Sequence, residues 1–209
     1  MTGHAGIKSF DEPEYCRREI LRYAMCPGCD EPKMLDLMED CMEECRKSAS
    51  FSYRVSYSVL PVISLDTQNG DIDLEHLKIN SRDLAGNLAG CEHVVVFAAT
   101  VGPGIDRLIK KYTSLDPVKA LFMQAIGAER VESVCNLFCS TYPKKLRPRF
   151  SPGFGDLSLS IQPDILRLTN AVKNLAITLD EGFLMSPSKS VTAFAGYDTI
   201  NDRDCLSGV

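Results

Sequence analysis

The sequence predicts an α+β protein, and three observations lead to this class. The first fifty residues carry apolar side chains at helical spacing, whereas apolar and polar residues alternate from Phe51 to Val59. This change of period marks the passage from amphipathic helices to a half-buried strand. Strands and helices then alternate along the chain without an internal repeat, and the β segments have the pattern of antiparallel strands. Helices packed on an antiparallel sheet fit this order.

Two helices are predicted in the N-terminal part of the chain. They cover residues 15–25 and 33–48, with a break at Cys26-Pro27-Gly28-Cys29 between them. The second helix has its apolar residues three and four positions apart, which places them on one face. We expect residues 1–50 to form a helical segment that packs on a main domain of residues 51–209, so that the two make one compact unit.

The middle of the chain is predicted to continue with alternating elements. A turn at Asn69-Gly70 precedes a short helix over residues 81–88, and residues 93–99 have the continuous apolar pattern of a buried strand. The longest helix begins at Asp116-Pro117, a capping residue followed by a proline in the first turn. Its first apolar stripe consists of Val118, Leu121, Phe122 and Ala125.

The last third of the chain begins with a loop over residues 142–157 that is rich in proline and glycine. A single helix is predicted after it, with apolar residues on one face. These are Ile161, Ile165, Leu168, Val172 and Leu175. Two short strands near residues 177–179 and 190–197 complete the predicted fold.

Charge and hydropathy exclude several classes of function. The 209 residues include 23 lysines and arginines against 28 aspartates and glutamates, which gives a net charge of −5. Nucleic-acid-binding proteins and polybasic membrane anchors both need clustered positive charge. The longest stretch without a charged residue, 93–105, is too short for a transmembrane helix of about 20 residues. Since the N-terminus also lacks the apolar core of a signal peptide, we expect a cytoplasmic protein.

Nine cysteines provide the first candidate site. Cys26 and Cys29 form a C-x-x-C motif, and Cys41 and Cys45 lie one helical turn apart, so that the four could form a redox pair or a zinc site. No predicted strand precedes the motif, as a thioredoxin-like site requires. The simpler interpretation is a loop between helices and two cysteines in the core. A metal or redox protein therefore stays an alternative.

Other motifs give weaker signals. Gly102-Pro103-Gly104 joins a strand to a helix, where backbone amides can hold phosphate. However, Arg107 stands where a dinucleotide motif has its third glycine, and no P-loop lysine follows, so a tight turn is favoured. The three histidines are scattered and no G-x-S-x-G motif occurs, which disfavours a histidine metal site and a hydrolase.

The third candidate is the loop from Arg147 to Asp156. An arginine fork matches a carboxylate or phosphate, and Phe154 offers a flat apolar face. Glu132, at the edge of the apolar stripe of the longest helix, could meet an ammonium or a ribose hydroxyl. From composition alone, a solvated turn explains this loop equally well.

Residues 149–197 resemble the activation domain of cobalamin-dependent methionine synthase. Two blocks, at residues 149–157 and 179–193, carry the resemblance, and a fainter likeness covers residues 97–102 and 126–132. The first block begins Arg149-Phe150-Ser151-Pro152-Gly153-Phe154. This order and spacing of blocks is much more specific than a lone Gly-Pro turn.

The resemblance implies a twisted antiparallel sheet with packed helices that binds S-adenosylmethionine in a groove. It also implies a function in reactivation. An electron from a flavodoxin-like or other donor reduces cob(II)alamin, and S-adenosylmethionine then methylates the cobalt. The cobalamin would be carried by a partner, methionine synthase or another corrinoid protein, because the D-x-H-x-x-G ligand motif is absent here. The chain itself would position the cofactors and supply no catalytic residue.

By the same resemblance, Arg149 would hold the carboxylate of the ligand and Glu132 its cationic or hydroxyl part. The alignment of Glu132 competes with Glu129, one turn away. Ser151, Pro152, Gly153 and Phe154 would complete the binding loop. A docking or regulatory module for a corrinoid methyltransferase is the alternative within this fold.

Three features depart from the family. Phe154 stands where a tyrosine is typical, and Gly155-Asp156-Leu157-Ser158 replaces a proline–alanine–cysteine–proline stretch of the synthase. The tail over residues 198–209 has no tyrosine pair.

Overall fold

The fold is built around a curled antiparallel sheet, seen in a computed structural model that describes residues 5–198. Its strands are β1 (Gly6–Ser9), β2 (Arg54–Leu65), β3 (Asp71–Leu74), β4 (Leu77–Asn80), β5 (His93–Thr100) and β8 (Ser190–Tyr197). Their order across the sheet is β4-β3-β2-β5-β8, and β1 pairs with β2 beside this path. A separate hairpin consists of β6 (Thr178–Leu179) and β7 (Met185–Ser186). The α+β prediction is therefore confirmed.

Strand β2 bends the sheet. Residues 54–61 pair with β5, whereas the end of the strand pairs with β3 after a shift of register between Val62 and Ser64. Such an irregularity increases the local twist of β2 at the point where its partner changes from β5 to β3.

Helices cover both faces of the sheet. They are α1 (Arg17–Tyr23), α2 (Pro32–Ser48), α3 (Arg82–Leu88), α4 (Gly104–Leu115), α5 (Pro117–Ser140), α6 (Gln162–Leu168) and α7 (Ala171–Leu175). Side chains of β5 alternate between the faces: Phe97 packs with α1, α2, α4 and α5, and Val96 with α3 and α6. Helix α5 is the central helix on the face of the sheet that carries Phe97, and it contributes Phe122, Ile126 and Phe138 to the core there.

The predicted helix starts are confirmed for α3 and α5. The Ser81 hydroxyl accepts a hydrogen bond from the Leu84 amide at 3.1 Å, and the Asp116 carboxylate accepts one from the Lys119 amide at 3.1 Å. Each side chain satisfies an amide that has no partner inside its helix.

Two helix predictions were wrong in detail. Val118 and Leu121 are exposed, because α5 turns Phe122 and Met123 towards the sheet and its neighbouring helices. The helix predicted from Ile161 to Leu175 is broken at Asn170, which has a φ of +53°, and Val172 is exposed. Serine hydroxyls of β2 donate hydrogen bonds to the backbone carbonyls at this break. Ser58 Oγ, for example, donates to the Leu168 oxygen at 2.7 Å.

The N-terminal segment also differs from the prediction. It is not only helical, because β1 adds a strand to the sheet beside β2. A four-residue strand carries too short an alternation to stand out in the sequence. His4 and the tail from residue 199 onward, with Cys205, lie outside the described residues. Within residues 5–198, no helix has the length and apolar character needed to cross a membrane.

Candidate functional site

The Arg149 loop lies along the outer edge of the sheet. Phe150 and Phe194 of β8 exchange two backbone hydrogen bonds, of 2.9 and 2.8 Å, and the Arg147 amide donates to the Gly196 oxygen at 2.8 Å. Because adjacent residues of an extended chain point to opposite sides, Phe150 packs in the core with α3 and α6, and Arg149 faces α5.

Arg149 makes its polar contacts with one face of α5. Its Nη2 donates to Glu132 Oε2 at 2.9 Å and to Asn136 Oδ1 at 2.9 Å. The two acceptors lie four residues apart and thus on the same side of the helix. The Arg149 side chain is 22% exposed and that of Glu132 39% exposed, so that the pair is open to solvent on one side.

Electrostatics keep Arg149 charged in this position. Burial by itself lowers the pKa of the Arg149 guanidinium, but the charge and the hydrogen bond of the Glu132 carboxylate raise it, and the net shift is upward. Burial raises the pKa of the Cys135 thiol to about 12, so that Cys135 is a neutral neighbour at physiological pH.

A tight turn follows Arg149 and presents Phe154. Gly153 has a φ of +90°, a conformation that favours glycine, and its amide donates to the Leu157 oxygen at 2.8 Å. Pro152 is buried beneath this turn, whereas Phe154 is 67% exposed at its tip. The turn therefore holds a large apolar ring at the surface beside the Arg149–Glu132 pair.

These residues enclose a cavity of about 180 Å³. It is lined by Glu132, Arg149, Phe150, Ser151, Phe154 and Val191. The structure thus brings together Glu132, Arg149, Ser151 and Phe154 from the sequence-based candidates, and Pro152 and Gly153 shape the turn without lining the cavity. Phe150 and Val191 were missed as lining residues, although both lie in the two blocks that carry the family resemblance.

The structure distinguishes Glu132 from Glu129. Glu129 is buried against Arg130 and binds the Cys16 amide and the Ser133 hydroxyl through its Oε1, at 3.2 and 2.7 Å. Its oxygens are therefore engaged within the protein. Glu132 is the carboxylate of α5 that reaches the cavity.

The stretch that departs from the synthase anchors the loop to α3. The Asp156 carboxylate accepts hydrogen bonds from the Ser81 hydroxyl and from the Arg82 and Asp83 amides, the latter two at 2.8 and 3.3 Å. A carboxylate at a helix N-terminus is favourable for both the free amides and the helix dipole. Gly155 is needed beside it, because a Cβ there would lie 2.0 Å from Asp83 Oδ2.

The second block sets the position of β8. The Ser188 amide donates to Asp106 Oδ2 of α4 at 2.9 Å, and Lys189 Nζ donates to Gln124 Oε1 of α5 at 2.6 Å. These contacts place Val191, and with it one wall of the cavity, against α5.

The cysteine candidates do not form a cluster. Burial raises the pKa of Cys41 to about 11 and that of Cys45 to about 12, and burial followed by the proximity of Cys29 raises the pKa of Cys26. A raised pKa disfavours the thiolate that redox and metal chemistry require. In the part of the chain that the structure describes, no group of three or more histidines, cysteines, aspartates and glutamates could hold a metal.

The Gly102-Pro103-Gly104 segment forms a packing turn. Gly102 has a φ of +81°, and a Cβ on Gly104 would lie 1.3 Å from the Ala49 oxygen at the end of α2. The glycine is needed because the start of α4 touches the backbone of another helix.

Neither a family model nor a curated protein matches this sequence. A solved structure does match: the MetH reactivation domain bound to AdoHcy has a TM-score of 0.65 and a sequence identity of 14%. The match covers 93% of this chain and 78% of that one. The chain has the fold of a MetH reactivation domain.

The structural likeness to the reactivation domain reaches further than the likeness in sequence. The sequence blocks cover residues 149–197, whereas the superposition covers 93% of the chain and thus includes most of the N-terminal segment. The helices before residue 50 therefore belong largely to the shared reactivation-domain fold.

Proposed function

We propose that this protein binds S-adenosylmethionine in the cavity between α5 and residues 149–154 and supports the reductive methylation of cob(II)alamin held by a corrinoid partner. The observation that carries the proposal is the convergence of Arg149, Glu132 and Phe154 in one cavity. It occurs in a chain with the fold of a domain that was solved with AdoHcy.

The cavity offers chemistry that complements this ligand. A guanidinium has five N–H donors, and the contacts of Arg149 with Glu132 and Asn136 use only Nη2. A bidentate contact with the carboxylate of the ligand is compatible with both. Glu132 would attract the ammonium, and the exposed face of Phe154 would pack on the adenine or the sulfonium.

The residues of the cavity indicate what the chain, the ligand and the corrinoid partner would each contribute to the reaction. S-adenosylmethionine would supply the methyl group and leave as S-adenosylhomocysteine, and the cobalamin of the partner would accept the methyl group once a flavodoxin-like or other donor has reduced it by one electron. The chain holds the ligand by its amino-acid end and orients it towards the open side of the cavity. The corrinoid partner would be a methionine synthase without a reactivation domain of its own. Another corrinoid protein is the alternative.

Calorimetric titration of S-adenosylmethionine into wild-type protein and into Arg149→Ala tests the proposal. Loss of the charge-assisted contact should cost about 2 kcal/mol, roughly thirtyfold in affinity. Arg149→Lys keeps the charge and loses the fork, so we expect an intermediate affinity. Arg167→Ala is the matched control, because Arg167 pairs with Asp164 on α6, on the other face of the sheet.

Either of two results would contradict the proposal. One is the absence of S-adenosylmethionine binding by folded wild-type protein, which would favour the docking module. The other is equal binding by wild-type protein and Arg149→Ala, which would place the ligand elsewhere.

A further inference from the structure

We infer that Cys26 and Cys29 are an oxidisable dithiol, which a small disulfide converts into an intramolecular Cys26–Cys29 bond. The pair lies in the turn between α1 and α2 and does not line the Arg149 cavity, so the inference stands apart from the proposed function. Three observations support it: the geometry of the turn, the anchoring of its ends and the contrast with the other cysteine pairs.

The backbone of residues 26–29 forms a β-turn with the two cysteines at its ends. The Cys29 amide donates to the Cys26 oxygen at 3.2 Å, and Gly28 has a φ of +72°. Proline in the second position and a positive φ in the third are typical of a type II turn, whose first and fourth Cα atoms are less than about 7 Å apart. Disulfides join residues whose Cα atoms are about 4.4–6.8 Å apart. The reduced turn therefore already holds the two cysteines at a separation that a disulfide can bridge.

Both ends of the turn are fixed by the helices that it joins. The Cys26 amide donates to the Leu21 oxygen at 3.0 Å across the end of α1, and Met25 before it has a φ of +61°. A bond of this kind behind a left-handed residue is the Schellman motif, which ends a helix in a defined geometry. Helix α2 begins at Pro32, three residues after Cys29. Since a proline with a fixed φ also follows Cys26, closure of the ring would order little additional backbone.

The other closely spaced cysteine pairs lie on helices and have a different geometry. Cys41 and Cys45 of α2, and Cys135 and Cys139 of α5, are each four residues apart. Cβ atoms at this spacing on a helix are about 5–6 Å apart, whereas a disulfide needs about 3.5–4.5 Å. Three of these four thiols are also buried, whereas both thiols of the turn are partly exposed. A small oxidant can therefore reach the turn, and the turn can close a ring.

The reaction is a thiol–disulfide exchange with a small disulfide as the oxidant. One thiolate of the pair attacks the oxidant, breaks its S–S bond and forms a mixed disulfide, and the first thiolate of the oxidant leaves. The second thiolate of the pair attacks the mixed disulfide, forms the Cys26–Cys29 bond and releases the other half of the oxidant. The two cysteines thereby give up two protons and two electrons, and the oxidant takes them up and becomes two thiols.

The environment of Cys26 makes this exchange slow and its product durable. Burial, followed by the proximity of Cys29, raises the pKa of Cys26, so that little thiolate is present to react. A dithiol becomes a strong oxidant in its disulfide form when its thiolate is stabilised. Cys26 has no such stabilisation, and we expect the disulfide to persist until a dithiol reductant removes it.

Mass spectrometry of the full chain tests the inference. The folded protein is incubated with excess glutathione disulfide, quenched in acid, alkylated and digested with trypsin. Cleavage after Arg22 and Lys33 gives one peptide, residues 23–33, that holds both cysteines of the turn. We expect this peptide to lose two hydrogen atoms and to escape alkylation, and we expect dithiothreitol to restore both thiols.

The same digest contains the matched controls. Residues 34–46 hold one helical pair and residues 131–144 hold the other, so that each of these pairs also falls in a single peptide. Both should stay reduced under the same conditions. Cys29→Ser should abolish the loss of hydrogen in residues 23–33 and leave Cys26 as a mixed disulfide with glutathione.

Four results would overturn the inference. The first two are a turn that stays reduced in the folded protein and a mixed disulfide with glutathione that persists on wild-type protein without ring closure. The third is equal oxidation of the helical pairs. The fourth is a lower melting temperature of the oxidised protein, because it would show that ring closure distorts the turn.

Discussion

Two glutamates of helix α5 pair with arginines, Glu129 with Arg130 of the same helix and Glu132 with Arg149 of the loop, and the two pairs differ in almost every physical respect. Arg130 and Glu129 are buried, with side-chain exposures of 0% and 2%, whereas Arg149 and Glu132 are exposed to 22% and 39%. Arg130 donates to the backbone oxygens of Pro13 and Glu14 and stacks at 3.6 Å over the Tyr15 ring. The buried pair thus fastens the N-terminal segment to α5, and the open pair faces a cavity.

The difference shows how the same residue types serve stability or binding. A buried charge needs every donor and acceptor satisfied inside the protein, and the partners of the Arg130–Glu129 pair come from the chain itself. A half-exposed pair retains capacity for a ligand at little cost to the fold. Saturation of polar contacts, rather than the presence of an ion pair, therefore distinguishes the two regions.

The largest expected effect is on the buried pair. Arg130→Met leaves the Glu129 carboxylate buried without its cation, so we expect a loss of about 3–5 kcal/mol in the free energy of unfolding. Arg149→Met, the matched change at the open pair, should alter it by about 1 kcal/mol or less. Chemical denaturation of both variants measures the difference, and equal losses would contradict the distinction.

The double variant Glu129→Gln/Arg130→Met sharpens this test. It removes both charges while the amide can still accept from the Cys16 amide and the Ser133 hydroxyl. We expect it to be more stable than Arg130→Met alone.

The next effect concerns ligand binding at the open pair. Glu132→Gln keeps the shape of the side chain and removes the charge that would face the ligand ammonium. S-adenosylmethionine should bind about fivefold more weakly, roughly 1 kcal/mol, with an unchanged free energy of unfolding. Calorimetry combined with denaturation checks both parts. Glu75→Gln, in the exposed β3–β4 turn, is the control, and a similar loss there would argue against a local role for Glu132.

The smallest expected effect is on the acid dependence of stability and concerns Asp156. Its carboxylate anchors the loop through hydrogen bonds from Ser81, Arg82 and Asp83, whereas the two pairs above each include an arginine. The hydrogen bond from Ser81, aided by the Arg82 and Asp83 amides, lowers the pKa of Asp156 below its usual value of 3.8. Its contribution to stability is therefore present above about pH 4 and is lost as the pH falls through the folded-state pKa.

Asp156→Asn should remove this part of the acid dependence. Thermal melts across the acid range test it against Asp36→Asn, an exposed change on α2. A steeper loss of stability in acid for Asp156→Asn than for wild-type protein would contradict the assigned direction.

Local sequence signals predicted much of the fold. Asp116 marked the start of α5 as a capping residue before a proline, a short helix was predicted from residue 81 where α3 begins, and the alternation after Phe51 marked β2. Strand β1 and the break at Asn170 could not be predicted in this way. Each depends on a contact with β2, from a partner more than forty residues away in the chain.

The candidate site divides in the same manner. The Arg149 loop was found from its residues and from the family resemblance, and the turn at Gly153 follows from local chemistry. Val191 joined the cavity only through the pairing of β8 and the ties of Ser188 and Lys189 to α4 and α5.

The sequence by itself determined the α+β class, the capped start of α5 and the loop that carries Arg149 and Phe154, because these depend on neighbours within a few positions. Only the tertiary structure decided which glutamate of α5 faces the cavity. Glu129 and Glu132 differ by three positions, about 60° around the helix, so that helical periodicity alone does not separate them. The N-terminal segment packs over Glu129, and the Arg149 loop packs over Glu132. Because of these different long-range neighbours, Glu129 contributes to the stability of the fold and Glu132 stays open to a ligand.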